Sequence, residues 1–468
     1  MKKKSILLVL FGLILGLSVA YAAELINSKD IRFSNGVTNL KANNVQDAIE
    51  ELYDKTISDS SCKNVSAPKL GEGLVPVIID GDGTVKYADT TKSWYNYCDK
   101  RWANAVILEE GANYKTGDTI QESDIQSYFV WIPKYKYKLW NADKASKTAH
   151  EIDIVFDETN TTDVEGVSCK TPMTSGESGN CNNGEYMTHP AFISMGVNGF
   201  WVGKFETGYK GATSVSSSQV NANDISKVII KPNAYSWRNI TVYNAFLNSY
   251  NYQRNLESHM MKNTEWGAIS YLSHSKYGLD YEININNNSN YKTGYSALKD
   301  SSQQTFPGTN GDGTTYNSAY NTEIGYLAST TGNITGIYDM SGGAGEYVAS
   351  YITGKLGSSG FDSTTKAQYD VKYFDKYNSL SNENSYQYRI LGDATAEVGP
   401  FKNYADGDGI SRYHSGWYGD QTIFVDSTYP WFSRGGRYTY GVLGGSFCFV
   451  RYTGETDADG TFRIVLAP

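Results

Sequence analysis

The chain has 468 residues, enough for several domains or one large core with insertions, and its 41 Lys and Arg against 50 Asp and Glu give a formal net charge of −9. No run of Lys or Arg follows the first four residues, so phosphate-backbone binding lacks electrostatic support and nucleic acid is excluded as a main partner. Only 19% of residues are charged while Tyr and Gly reach 38 and 46, which suits either a recognition surface built from Tyr, Gly, Ser and Asn or a loop-rich extracellular β protein with half-buried tyrosines.

Met1-Lys2-Lys3-Lys4 precedes an apolar run from Ile6 to Ala23, and Ala20-Tyr21-Ala22 has the small-x-small cleavage pattern. Residues 1–23 are therefore either a cleaved export signal or a retained membrane anchor, and both place the rest outside the cytoplasm, secreted or at the cell surface. In residues 24–60, Asn43-Asn44 caps an amphipathic helix whose Val45, Ala48, Ile49, Leu52 and Tyr53 share one face. So short a helix needs a partner surface, either the rest of its own chain or a second copy meeting it over residues 43–57.

Residues 61–124 read as a small β module. Gly73–Ile79 and Trp102–Leu108 are strands, and Asp80-Gly81-Asp82-Gly83 is a turn that lacks the later Gly and Glu of an EF-hand calcium loop. From residue 125 an α+β domain extends to residue 468. Tyr128–Pro133 and Phe200–Glu206 are buried-type strands, and Lys134–Leu139 alternates polar and apolar residues as a sheet with one wet face does. Helices are predicted around Val242–Ser249 and Trp266–Ser273, the second capped by Asn263 or Thr264 and ending near Gly278.

Of five cysteines, Cys169 and Cys181 make the most plausible local disulfide and Cys62 with Cys98 a second, which leaves Cys448 unpaired. No CxxC or Cys/His cluster indicates zinc, and the five histidines form no H-x-x-x-H pair; His189, before Pro190, reads as structural. Nucleophile-elbow and phosphate-loop motifs are missing, and Glu206, Glu265 and Glu346 stand apart in sequence, so a hydrolase pair among them would depend on folding.

The ordered series Phe129-Val130-Trp131-Ile132-Pro133, His189-Pro190-Ala191-Phe192, Phe200–Thr207, Ser236-Trp237, Thr264–Ala268, Gly336–Tyr347, Arg434-Gly435-Gly436 and Phe462-Arg463-Ile464-Val465 resembles the formylglycine-generating enzyme, or sulfatase-modifying factor, family. That family is a branch of the C-type-lectin-like fold, so the resemblance implies such a domain over residues 125–468. It departs from the family at the oxidase site, where two cysteines five residues apart bind copper; Tyr440 and Gly445 fall in that span and Cys448 is alone. The resemblance therefore implies no oxidase chemistry and no catalytic residue. It implies calcium as the one conceivable cofactor, with Glu346 alone keeping a ligand carboxylate while Gly343 and Gly345 replace the family's Asn and Trp.

The C-terminal segment also resembles the cassette of retroelement-diversified variable proteins, a second branch of that fold. The resemblance makes Trp431, Phe432, Arg434, Gly435, Gly436, Gly441, Phe447, Phe449, Gly454, Phe462 and Arg463 fixed framework. Arg437, Tyr438, Tyr440, Val442, Leu443, Val450, Arg451, Tyr452 and Glu455 become the ligand-binding candidates, and Cys448 a further variable position. The expected function is an exported protein that binds a protein or glycan ligand at a cell surface. The alternatives are a formylglycine-type enzyme with altered chemistry, or a structural fibre or pilus component, since residues 37–52 look like an element of bacterial surface and phage-fibre proteins.

Overall fold

The computed structural model describes Val45 and residues 64–142, 148–158, 181–297, 318–377, 390–398 and 416–468. Expectations for the 1–23 segment, for the 43–57 helix beyond Val45, and for Cys62, Cys169 and His414 lie outside these residues. Asn64–Pro468 forms one compact unit, distinct from Met1–Lys63, and it is mixed α and β with many strands and few helices.

The main sheet is antiparallel. In chain order it takes β1 (Leu74–Ile79), β2 (Val85–Tyr87), β3 (Asn104–Leu108), β4 (Thr119–Ile120), β5 (Ile125–Pro133), β6 (Gly199–Gly203) and β7 (His259–Met260), and it is completed by the chain's last strand. At its centre β5 buries every residue but Gln126, and the cross-strand pair Trp131↔Trp201 brings two indoles to 5.3 Å, edge to face. A run so continuously apolar forms where both faces of a sheet are covered.

The segment expected to be a separate β module is part of this sheet. Its β3 pairs with β5 through Asn104↔Val130 and Ala105↔Phe129, so β1–β4 extend the large sheet and residue 125 is no boundary. The physical reason is that Ala105, Val106 and Ile107 are all buried and β3 needs partners on both edges, which a few short strands alone do not supply. Beside the sheet, Tyr135–Lys138 pairs with Ile154–Phe156 and Tyr186–Thr188, with Tyr135 and Tyr137 buried and Lys138 exposed, as the alternation predicts.

Among the described residues, three α-helices are six residues or longer. Helix α1 (Pro190–Met195) begins at His189, whose Nδ1 accepts the Ala191 N–H while Nε2 donates to the Gly392 carbonyl at 2.8 Å. Burial holds that imidazole neutral, its pKa lowered to about 3, so His189 has the expected structural role. Helix α2 (Val242–Tyr252) is capped by Thr241. Helix α3 (Asn263–Ser273) is buried on every side, and its N-cap is Lys262, one residue before the expected Asn263 or Thr264. Its first N–H groups are met from elsewhere in the chain: Asn263 donates to Ser350 Oγ and Thr264 to Asp375 Oδ2, each at 2.8 Å.

A second sheet comprises β8 (Gly345–Ile352), β9 (Asp375–Tyr377), β10 (Trp431–Gly435), β11 (Gly445–Tyr452) and β12 (Gly460–Phe462). One edge of β8 takes β10 antiparallel; the other takes β9 and β12 in parallel. The chain then crosses through one residue, Arg463, into β13 (Ile464–Leu466), which lies between β7 and β6 in the main sheet.

Cys98 and Cys181 are each disulfide-bonded, and Cys448 is a buried thiol outside any disulfide. No helix among the described residues is long and apolar enough to cross a membrane.

Candidate functional site

The β10–β11 hairpin turns through Arg434-Gly435-Gly436, where both glycines have left-handed backbone, with φ of +78° and +74°. A Cβ on Gly436 would lie 2.8 Å from the Tyr440 ring, so glycine is what lets that ring fold back over the turn. All eleven residues expected as framework, from Trp431 to Arg463, are buried. Trp431 stacks on Tyr351 and Phe361, and Arg434 lies over the Trp266 ring at 5.5 Å.

Between these fixed points, Arg437, Tyr440, Val450 and Tyr452 line one shallow depression with Tyr347, Ser433, Asp457 and Asp459. Strand alternation explains the membership: Val450 and Tyr452 share one face of β11, and Arg451 points to the other. Arg437 pairs with Asp459 and its guanidinium lies 5.3 Å from the Tyr440 ring centre. Asp459 also accepts the Tyr291 hydroxyl, Tyr291 meets Tyr438 edge to face at 4.8 Å, and Arg238 stacks on Tyr291 at 3.8 Å. Tyr347 and Tyr452 meet edge to face at 5.8 Å, and burial followed by the Asp457 charge raises both phenols above their usual range.

The remaining candidates lie apart. Arg451 pairs with Asp426 and sits over the Tyr429 ring, while Val442 and Leu443 form a short turn whose backbone bonds to Gln421. Glu455 is exposed on the following loop, where its carbonyl accepts the Tyr347 hydroxyl at 2.8 Å. Val450 is only 6% exposed and Cys448 is fully buried, so these two are part of the support beneath the surface.

Sequence reasoning missed Tyr291, Tyr347, Asp457, Asp459 and Arg238. The signal for the two aspartates was a short acidic loop in the same hairpin cassette as Arg437. Tyr347 arrives only because β8 pairs with both β10 and β12.

Glu346, the carboxylate singled out for calcium, is instead committed to a guanidinium. Both of its oxygens accept from Arg463, with Nε at 2.9 Å, and the same guanidinium donates to the carbonyls of Gly203 at 2.8 Å and Tyr338 at 3.0 Å. Glu206 and Asp339 are buried close by; Glu206 takes the Ala344 N–H at 2.9 Å and Asp339 the Asn286 amide at 2.8 Å. Burial raises all three carboxyls above their usual range, and Arg463 opposes that rise at Asp339 and Glu346. Among the described residues, no three His, Cys, Asp or Glu side chains are arranged to hold a metal ion. The third isolated carboxylate, Glu265, bonds His259 Nε2 at 2.8 Å inside the core, so folding joins Glu206 to Glu346 and leaves Glu265 elsewhere.

No family model matches the chain, and no curated protein does. Among solved structures, it is similar to the Major Tropism Determinant P3c variant at 14% identity, over 86% of this chain and 74% of that one, with a TM-score of 0.25. The I1 variant of the same protein is similar at 11% identity, over 87% and 97%, also at 0.25. Superposition at that level carries no structural argument, so the surface is interpreted from its own geometry.

Proposed function

We propose that this chain is an exported ligand-binding protein in which a C-type-lectin-like platform displays a recognition surface from its β10–β11 hairpin and the following loop. One observation carries the reading. The cassette separates by burial into a wholly buried framework and a displayed set, in which Arg437, Tyr438, Tyr440, Val442, Leu443, Arg451, Tyr452 and Glu455 all reach solvent. Framework side chains set the hairpin's shape, while substitution at the displayed positions changes the surface with little effect on the core. Tyrosines and arginines held by neighbouring rings and carboxylates lose little entropy on binding, which suits recognition. Diversification of those positions fits the same separation. The two similar structures are named as tropism determinants, and the proposal has this chain too selecting a target.

In this reading the chain is a binder and no oxidase, since Cys448 is one thiol, buried beneath the hairpin. The test is binding of the purified protein to glycan arrays and bacterial cell surfaces, with a Tyr440→Ala/Tyr452→Ala variant beside it. Loss of binding at least tenfold in the variant, with unchanged thermal unfolding, supports the surface. Equal binding by both proteins moves the site elsewhere.

A further inference from the structure

The depression on the displayed surface is aromatic and acidic. Tyr347, Tyr440 and Tyr452 supply its aromatic walls, and Asp457 and Asp459 its acids. Asp459 is neutralised by Arg437 and also bound by Tyr291. Asp457 differs: its Oδ1 accepts the Asp459 N–H at 2.9 Å, and among the described residues no side chain pairs with it. Its backbone carbonyl is held by the N–H groups of Asn239 at 2.8 Å and Gly460 at 3.0 Å, so the carboxylate is fixed in place before any ligand arrives.

From this geometry we propose that the depression receives the ammonium group of a lysine side chain on a protein ligand, with Asp457 as counter-ion and the Tyr452 ring against the methylene stem. The inference rests on the recognition surface proposed above and names its ligand chemistry. An ammonium is a compact point charge of about one water's volume, attracted both to a carboxylate and to tyrosine faces. With Oδ1 engaged by the Asp459 N–H, Asp457 offers chiefly Oδ2, which suits a point-charge ammonium better than the two-pronged fork of a guanidinium.

The probe is Nα-acetyl-lysine N-methylamide, observed by saturation-transfer NMR with the full chain. Saturation is expected to be strongest at the ε-methylene, and Nε-acetylation should abolish it. Asp457→Asn keeps the Oδ1 acceptor and so the turn; it should weaken binding at least fivefold. Tyr452→Phe should bind within about twofold of the parent and Tyr452→Ala at least fivefold more weakly, with thermal unfolding recorded for each variant. Equal binding of the Nε-acetylated probe overturns the proposal, as does unchanged binding by Asp457→Asn. So does preference for an arginine probe or a methyl glycoside. Displacement of the probe by ammonium chloride at equal concentration would make this an inorganic-ion site and would equally overturn it. If the array experiment finds a ligand without amines whose binding still requires Tyr440 and Tyr452, the recognition surface stands and the lysine assignment falls.

Discussion

Removing the Arg463 side chain would leave Glu346 buried without its counter-charge, close to two more buried carboxylates, Glu206 and Asp339. Breaking a buried pair in this way typically costs about 3–5 kcal/mol, far more than the pair itself contributes over an apolar replacement. Arg463→Met is therefore expected to lower unfolding free energy by at least about 3 kcal/mol in urea titration, and an Arg463→Met/Glu346→Leu double variant should recover part of it. Asp375, which holds the first turn of α3, gives a pH signature. Burial, opposed by Lys262 and by the Thr264 N–H, raises its pKa from 3.8 to about 6. A carboxyl whose folded pKa is raised contributes stability that is present below about pH 4 and lost as pH rises through about 6. Relative to Asp375→Asn, the parent should gain up to about 3 kcal/mol between pH 7 and pH 4, by denaturant unfolding across that range.

At the scale of elements, the β10–β11 hairpin joins a rigid frame to a tolerant display. Alanine at Tyr438, Leu443 or Glu455 is expected to change unfolding free energy by no more than about 0.5 kcal/mol, whereas Trp431→Ala or Phe449→Ala should cost about 3–5 kcal/mol. Thermal and urea unfolding of the five variants checks the contrast. Equal costs in the two groups would mean that burial does not separate display from framework. Legibility follows the same line. The framework residues, aromatics and glycines together with Arg434 and Arg463, were named by the cassette resemblance, and all of them are buried. Locally Glu265 accepts the Lys262 N–H at 2.9 Å, but the α3 start was misread by one residue because the N–H groups of Asn263 and Thr264 are met by Ser350 and Asp375, about ninety and a hundred and ten positions away. The sequence around residue 263 carries no trace of either.

At the scale of the whole molecule, β12 and β13 are the last strands made and hold both sheets together. β12 pairs with β8, and β13 fills the place between β6 and β7. A chain ending at Asp459 is expected to lose cooperative unfolding entirely, as followed by near-ultraviolet circular dichroism during heating, because an interior strand and the Arg463 clasp go together. Retention of a sharp transition would show that the main sheet closes without its last strand.

Local pattern was enough for much of this. The apolar runs of β1, β3 and β5 and the alternation of Tyr135–Lys138 follow from residue type and spacing, because a strand's own periodicity decides which side chains can be buried; the framework positions of the C-terminal segment came from its resemblance to a known cassette. Tertiary structure alone decided that β1–β4 extend the main sheet, that Glu346 faces Arg463, and that Tyr347, Asp457 and Asp459 meet Arg437 and Tyr452. Those outcomes depend on pairing between separate elements, 26 residues apart for Asn104 and Val130, 22 for Arg437 and Asp459 and 117 for Glu346 and Arg463. Partners are chosen there by how edges and charges are satisfied in the assembled core, and no local window contains that information.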